Sequence, residues 1–305
     1  MSEKPKIVFL GTSASTPTKE RNLSSIAIRF EGEWLLFDAP EGTQRQMMKA
    51  GVSYLKINKI FISHFHADHF LGLAGLLATM NIHARDWPLT IYGPKGVEKK
   101  VAHSLEMAML KPLFEVKCIE AKKGVIVQEE KYSIEAFPLK HEIECFGYAF
   151  MEKDKKGEFN RQKAIELGIP IGPLFSELQN GKSVRINGKT IKPEEVMDSS
   201  KGRKGKKISM VFDTLPSTIY HKAIQDSDIL IHESSFLEER KDRAEETMHS
   251  TALDAALAAK KTGCKKLVLF HLSARHKETE KFENEARKEF GNSVAATDLM
   301  EIEVG

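Results

Sequence analysis

Apolar positions along this chain fall in short runs whose period changes repeatedly. Lys6-Ile-Val-Phe-Leu-Gly11 is continuously apolar behind its first residue, the pattern of a strand buried on both faces. Ser25-Ile-Ala-Ile-Arg-Phe30 and Trp34-Leu-Leu-Phe37 flank Glu31-Gly32-Glu33 and predict a hairpin. The pattern then predicts a short helix over Gly42 to Ala50 ended by Gly51, a strand over Ile57 to Ser63, and a strongly apolar helix over Phe70 to His83. A strand over Leu89 to Tyr92 and a mostly β stretch from Phe114 to Met151 complete the first half. Later, Ile208 to Phe212, Ile229 to His232 and Lys266 to His271 read as short buried strands, with a helix starting at Ile219 and an Ala-rich helix over Ala252 to Thr262 stopped by Gly263. Two successive β-rich, helix-flanked halves predict the α/β class, with sheet packed on sheet and helices outside, a four-layer αββα sandwich.

Composition narrows the class. Of 305 residues, 41% are hydrophobic and 17 are Phe, enough for a sizeable core and too many for a disordered or fibrous chain. The longest uncharged apolar stretch, Phe70 to Met80, is too short to span a bilayer, and Met1-Ser-Glu-Lys-Pro5 has no hydrophobic region behind it. A soluble, cytoplasmic protein with no membrane partner is therefore expected. Cys118, Cys145 and Cys264 are too few and too scattered for a disulfide framework or a Cys-based zinc site, so any metal chemistry falls to the 11 His.

The net charge of +3 is unevenly spread. Residues 152–207 hold 14 Lys+Arg against 8 Asp+Glu, leaving 32 against 35 for everything else. Seven glycines and three prolines interrupt that stretch, and no long period-3.6 apolar pattern runs through it. It reads as a basic, partly flexible arm inserted between two halves of one domain, residues 1–151 and 208–305.

The strongest chemical signal is His64-Phe-His66-Ala-Asp68-His69, directly after a predicted strand and before the apolar helix. Neutral imidazoles bind zinc and other borderline divalent ions, and a carboxylate adds a hard anionic donor. Four donors in six residues are too many for one ion with open water positions, which points to two adjacent ions. Further donors stand where strands leave the core: His141, Asp213 and His271. An aspartate between two ions can bridge them, one oxygen to each. His83, His103 and His221 lie in helical patterns without a second donor nearby and are assigned surface or core roles.

The hexad with these three residues resembles the metallo-β-lactamase superfamily, and further motifs resemble its tRNA 3′-processing branch, ribonuclease Z. Those motifs are Pro17-Thr-Lys19-Glu-Arg21-Asn22, Phe37-Asp38-Ala-Pro-Glu41-Gly42-Thr43, His232-Glu233-Ser-Ser-Phe236, His249-Ser-Thr251 and His271-Leu-Ser-Ala-Arg275. In the arm, Leu167-Gly-Ile-Pro-Ile-Gly172-Pro173-Leu174 looks like the Gly-Pro segment of that family's tRNA-gripping exosite. Two departures stand out: Ala39-Pro40 replaces a small residue and Gly, and His276 stands where Tyr is usual, so the exact scissile bond stays open.

The resemblance implies that His64, His66 and His141 hold one Zn2+ and Asp68, His69 and His271 a second, with Asp213 bridging and Asp38 behind them. Mn2+ is an alternative working ion. Asp68 would also accept a proton, and His249, held by Glu233, would protonate the leaving oxygen. Lys19, Arg21, Asn22, Gly172, Pro173 and Arg275 are the expected substrate contacts. The implied activity is removal of the 3′ trailer from precursor tRNA, in a homodimer, with no role for DNA. A basic arm suits a phosphate chain, and its two aromatics, Phe159 and Phe175, are too few for base stacking to be its main tool. The alternative is a hydrolase of small phosphodiesters or thioesters on the same scaffold, which would not need the arm.

Overall fold

A computed structural model describes residues 4–155, 157–198, 200 and 202–305. Residues 1–3, which belong to the amino-terminal segment read above, and Lys156, Ser199 and Lys201 of the basic arm lie outside the described residues. The chain divides into two compact units, residues 1–151 with 206–305, and residues 152–205.

In the larger unit, two seven-stranded sheets carry the fold. The first contains Lys6–Gly11, Ser25–Phe30, Glu33–Phe37, Ile57–Phe61, Leu89–Gly93 and Val116–Glu120, with Glu301–Glu303 at one edge. The second contains Gly124–Gln128, Tyr132–Pro138, Phe146–Glu152, Lys207–Val211, Ile229–Glu233, Leu267–Phe270 and Ser293–Ala295. Alternation along each strand of the first sheet explains its continuous apolar runs. Ile7, Phe9, Leu35, Phe37 and Phe61 join the cluster shared with the second sheet, while Val8, Leu10, Leu36, Ile60 and Ile62 pack with Leu73, Leu76 and Met80 of a covering helix. On the second sheet, Ala252, Ala255, Ala256 and Ala259 bring the helix Ala252–Lys261 into the shared cluster. The expected four-layer α/β sandwich is thus the architecture found.

Several elements differ from the sequence pattern. The strand Ile57–Phe61 stops two residues early, releasing Ile62, Ser63 and His64 into the loop. The apolar helix is two pieces, Ala67–Phe70 and Leu73–Ile82, because the chain at Gly72 lies against the 39–40 loop. A Cβ on Gly72 would strike the Pro40 carbonyl, and Gly72 N–H donates to Ala39 O (2.9 Å). The helix at Ile219 is only the 3-10 turn Thr218–Tyr220 followed by His221–Ile224. Helices Val97–Met107 and Glu280–Arg287 are not predicted by the pattern.

The smaller unit, read from the sequence as a partly flexible arm, has regular elements of its own. It holds helices Arg161–Glu166 and Pro173–Gln179, a hairpin of Val184–Ile186 with Lys189–Ile191, and the strand pair Glu158–Phe159 with Met197–Asp198. Ala164, Ile169, Phe175, Leu178, Val184, Ile191 and Val196 make its own buried cluster, and the rings of Phe159 and Phe175 meet at 4.9 Å. Arg203 closes the unit with a bidentate pair to Glu152, both bonds 2.6 Å. Among the described residues no helix is long and apolar enough to cross a membrane.

Candidate metal centre and active site

Apart from His249, each acidic or imidazole group of the centre sits at or beyond the carboxyl end of a strand: Asp38 after Phe37, the hexad after Phe61, His141 after Pro138, Asp213 after Val211, Glu233 at its strand's last residue, and His271 after Phe270. Such ends are where open α/β sheets gather ligands, since loops there converge while the strands stay rigid. Here both sheets contribute.

Asp213 lies at the middle. Its Oδ1 is 3.4 Å from His69 Nε2 and 3.4 Å from His271 Nε2, while Oδ2 is 3.7 Å from His64 Nε2 and 3.9 Å from His141 Nε2. Around Oδ2, His66 Nδ1 is 3.0 Å from His64 Nε2 and 3.2 Å from His141 Nε2. Around Oδ1, Asp68 Oδ2 is 3.6 Å from both His69 Nε2 and His271 Nε2. Two donor groups result, His64, His66, His141 with Asp213, and Asp68, His69 with His271; a third grouping joins Asp213, His249 and His271. Asp213 Oδ1 is buried and accepts no hydrogen bond. A buried carboxylate oxygen without a donor is costly unless a cation faces it, so this donor set fits a metal site.

The outer nitrogen of each of four imidazoles is held in place. Ser63 Oγ donates its one proton to Asp38 Oδ2 (2.7 Å) and therefore accepts from His64 Nδ1 (2.9 Å). Ser235 Oγ likewise donates to Glu233 Oε2 (2.9 Å) and accepts from His271 Nδ1 (2.9 Å). His69 Nδ1 meets Asp38 Oδ2 at 2.7 Å, and His141 Nδ1 donates to Met248 O at 3.1 Å. In all four rings Nδ1 is engaged and Nε2 is the nitrogen that faces the centre. Ser63 and Ser235 are functional residues the motif reading misses, because their role is visible only as paired contacts. Some backbone strain lies here too: Ser15, Asp38, Met248 and His271 all have φ between 55° and 59°, a conformation that costs a non-glycine residue about 1 kcal/mol or more.

Glu233 binds three segments together. Its Oε1 accepts from Thr214 N (3.1 Å), Ser250 N (2.9 Å) and His249 Nδ1 (3.0 Å), and its Oε2 from Ser235 N (3.0 Å). Burial opposes charge on His249, yet Glu233 and Asp213 outweigh it and bring its pKa to about 9, so the ring is a cation near neutral pH. Burial likewise opposes charge on Asp68, but His271 and His69 hold its carboxyl well below the usual range. Burial keeps His64 well below free imidazole, which leaves it neutral, as a ligand must be. Thr251 beside them caps the helix Ala252–Lys261, its hydroxyl accepting from Asp254 N.

Two clefts open on the centre. One of about 490 Å³ is lined by His66, Asp68, His141, Asp213 and His249. The other, of about 270 Å³, shares Ser15, Thr247 and His249 with it and adds Phe236, Arg243 and Arg275. Arg275 is exposed on that wall and Lys19 is exposed in its loop. Arg21 and Asn22, expected as substrate contacts, make hydrogen bonds within the protein. Arg21 is 7% exposed and donates to three backbone carbonyls, and Asn22 Nδ2 donates to Glu41 O (3.0 Å). In the smaller unit, Gly172 has φ 150°, open only to glycine, and sets exposed Pro173 at the first position of a helix. His83 and His103 are exposed and His221 is half-buried, and none of them joins a donor group.

Residues 5–156 match the family described as Anti-Pycsar protein Apyc1. Over 302 residues, 98% of this chain and 98% of the relative, the sequence is 45% identical to Ribonuclease Z of Methanosarcina mazei. Human tRNase Z, short form, superposes with a TM-score of 0.71 at 28% identity, covering 98% of this chain and 99% of that one. The metallo-beta-lactamase fold protein YhfI of Bacillus subtilis also reaches 0.71, at 15% identity over 99% of this chain and 100% of its own, a likeness of fold alone. Agreement at this level along almost the full length, on a fold that gathers its donors between two sheets, means that the chain belongs to the ribonuclease Z family.

Proposed function

We propose that this chain is an endoribonuclease that removes the 3′ trailer from precursor tRNA, leaving a 3′-hydroxyl on the tRNA and a 5′-phosphate on the trailer. The family membership supports the substrate, and one observation carries the chemistry: the two oxygens of Asp213 face two separate sets of imidazole nitrogens. His64, His66 and His141 would hold one divalent ion, Zn2+ or Mn2+, and Asp68, His69 and His271 a second, with Asp213 serving both. Two such cations, when bound, lower the pKa of water and neutralise charge on a phosphodiester. Asp68, its Oδ2 fixed by Ser15 N–H (2.9 Å), accepts the proton of the attacking water. His249, kept cationic by Glu233, gives a proton to the 3′-oxygen as its bond to phosphorus breaks. Glu233 aims that ring through Nδ1, leaving Nε2 for the leaving group.

The arm supplies grip. Arg161, Lys163, Lys182, Arg185, Lys189 and Lys192 are exposed on it, and a duplex RNA surface is bound chiefly through its phosphates. Its two aromatic rings are committed to its own core, which leaves charge as the main means of contact. A cytoplasmic homodimer completes the reading. Incubating the purified protein with end-labelled precursor tRNA, with and without chelator, tests it: a single chelator-sensitive cut at the 3′ trailer is expected, and metal-loaded protein that leaves the precursor intact would overturn it.

A further inference from the structure

Arg21 is a buried cation with an unusual set of partners. Its Nη1 donates to Leu272 O (3.3 Å), and its Nη2 donates to Ser273 O (2.9 Å) and His276 O (2.7 Å). Its own loop is closed beneath it, with Arg21 N donating to Thr18 Oγ1 and Thr18 N to Arg21 O, both at 2.8 Å. The segment it holds follows His271 directly. That segment is also fastened by a two-residue parallel pairing, Leu272 with Ser13 and Ser273 with Ala14. Ser273, Ala274 and Arg275 then form one wall of the smaller cleft, beside His249 and Phe236.

Burying a guanidinium is costly unless its donors are used, and here they go to three carbonyls within five residues. A planar fork can fix that curve in the chain; a lysine ammonium, with a single centre, cannot span it. We propose that Arg21 is a positioning residue for substrate selection: by holding Leu272, Ser273 and His276 it sets the cleft wall that carries Arg275, and through that wall the fit of the nucleotides next to the scissile bond. The assignment rests on the precursor-tRNA reading and adds to it a residue that acts without touching the RNA.

Arg21→Lys separates this role from a phosphate contact, because it keeps the charge and loses the fork. On precursor tRNA it is expected to raise KM about tenfold while kcat stays within about twofold, with metal content by inductively coupled plasma analysis as in the parent. The slope of log affinity against log salt should stay unchanged in Arg21→Lys and Arg21→Gln, but fall by about one in Arg275→Ala. The double variant Arg21→Lys with Arg275→Ala should be no worse than Arg275→Ala alone, since both act through one wall. Full activity in Arg21→Lys, a slope lowered by about one in Arg21→Gln, or effects that multiply in the double variant would each overturn the assignment. If Arg21→Gln does not fold, the lysine variant and the double variant still decide. Failure of the metal-loaded parent to cut precursor tRNA would defeat the functional reading itself, whereas normal cutting with a silent Arg21→Lys would defeat only this inference.

Discussion

At the centre around Asp213, carboxylates and imidazoles are buried or half-buried and four of the rings are held at their outer nitrogen, whereas most basic side chains of the arm stand exposed over a small separate core. The contrast suits the role the proposed function gives each region. Bond cleavage needs atoms placed to within fractions of an ångström before the substrate arrives, and strand ends, strained turns and hydroxyl relays hold four of the imidazole rings. Gripping a phosphate chain needs net positive charge spread over a surface, and tolerates considerable error in each side chain. Single substitutions should therefore be decisive in the first region and graded in the second.

Asp213→Ala should have the largest effect, removing metal and activity together with a loss of about 10³-fold or more. Full metal content in that variant, by inductively coupled plasma analysis, would break the contrast at its strongest point. Replacing residues 152–205 by a short linker is expected to lower precursor cleavage by about 10³-fold, the scale of several lost phosphate contacts, while hydrolysis of a small chromogenic phosphodiester survives. Equal loss of both activities would mean that the arm is needed for the larger unit to fold. His249→Ala should lower kcat on precursor by about 10²-fold or more and leave metal content intact; an unchanged kcat would remove His249 from the proton transfer. Smallest and most graded, Lys182→Gln, Arg185→Gln and Lys189→Gln should each shallow the salt dependence of affinity by at most about one phosphate contact, and slopes identical to the parent would show that these charges face only solvent.

Much of the metal-donor layout is legible because it is written locally. Four donors in the span His64 to His69 announce a metal site without any tertiary information, and His141, Asp213 and His271 are recognisable as donors just past apolar runs. What surrounds them was not legible. Ser63 and Ser235 act by receiving a ring N–H while giving up their own proton to a carboxylate, a pairing that joins residues up to 36 positions apart. Arg21 is expected from its motif as a substrate contact, and only the tertiary fold shows it turned toward Leu272 O and His276 O. The arm's core was hidden for a different reason: its seven buried apolar residues are spread over two very short helices, a hairpin and loops, too little of each for a helical or alternating period to emerge. The split of the apolar helix at Gly72 was equally invisible, since the obstacle is the Pro40 carbonyl from another loop.

The central claim is that Asp213 stands between two cation positions. Anomalous X-ray scattering at the zinc edge, from crystals of the protein purified without chelator, tests it most directly. The account predicts two peaks, one among His64, His66 and His141 and one among Asp68, His69 and His271, with a carboxylate oxygen of Asp213 toward each. A single peak elsewhere, or no peak at these imidazoles, would contradict it.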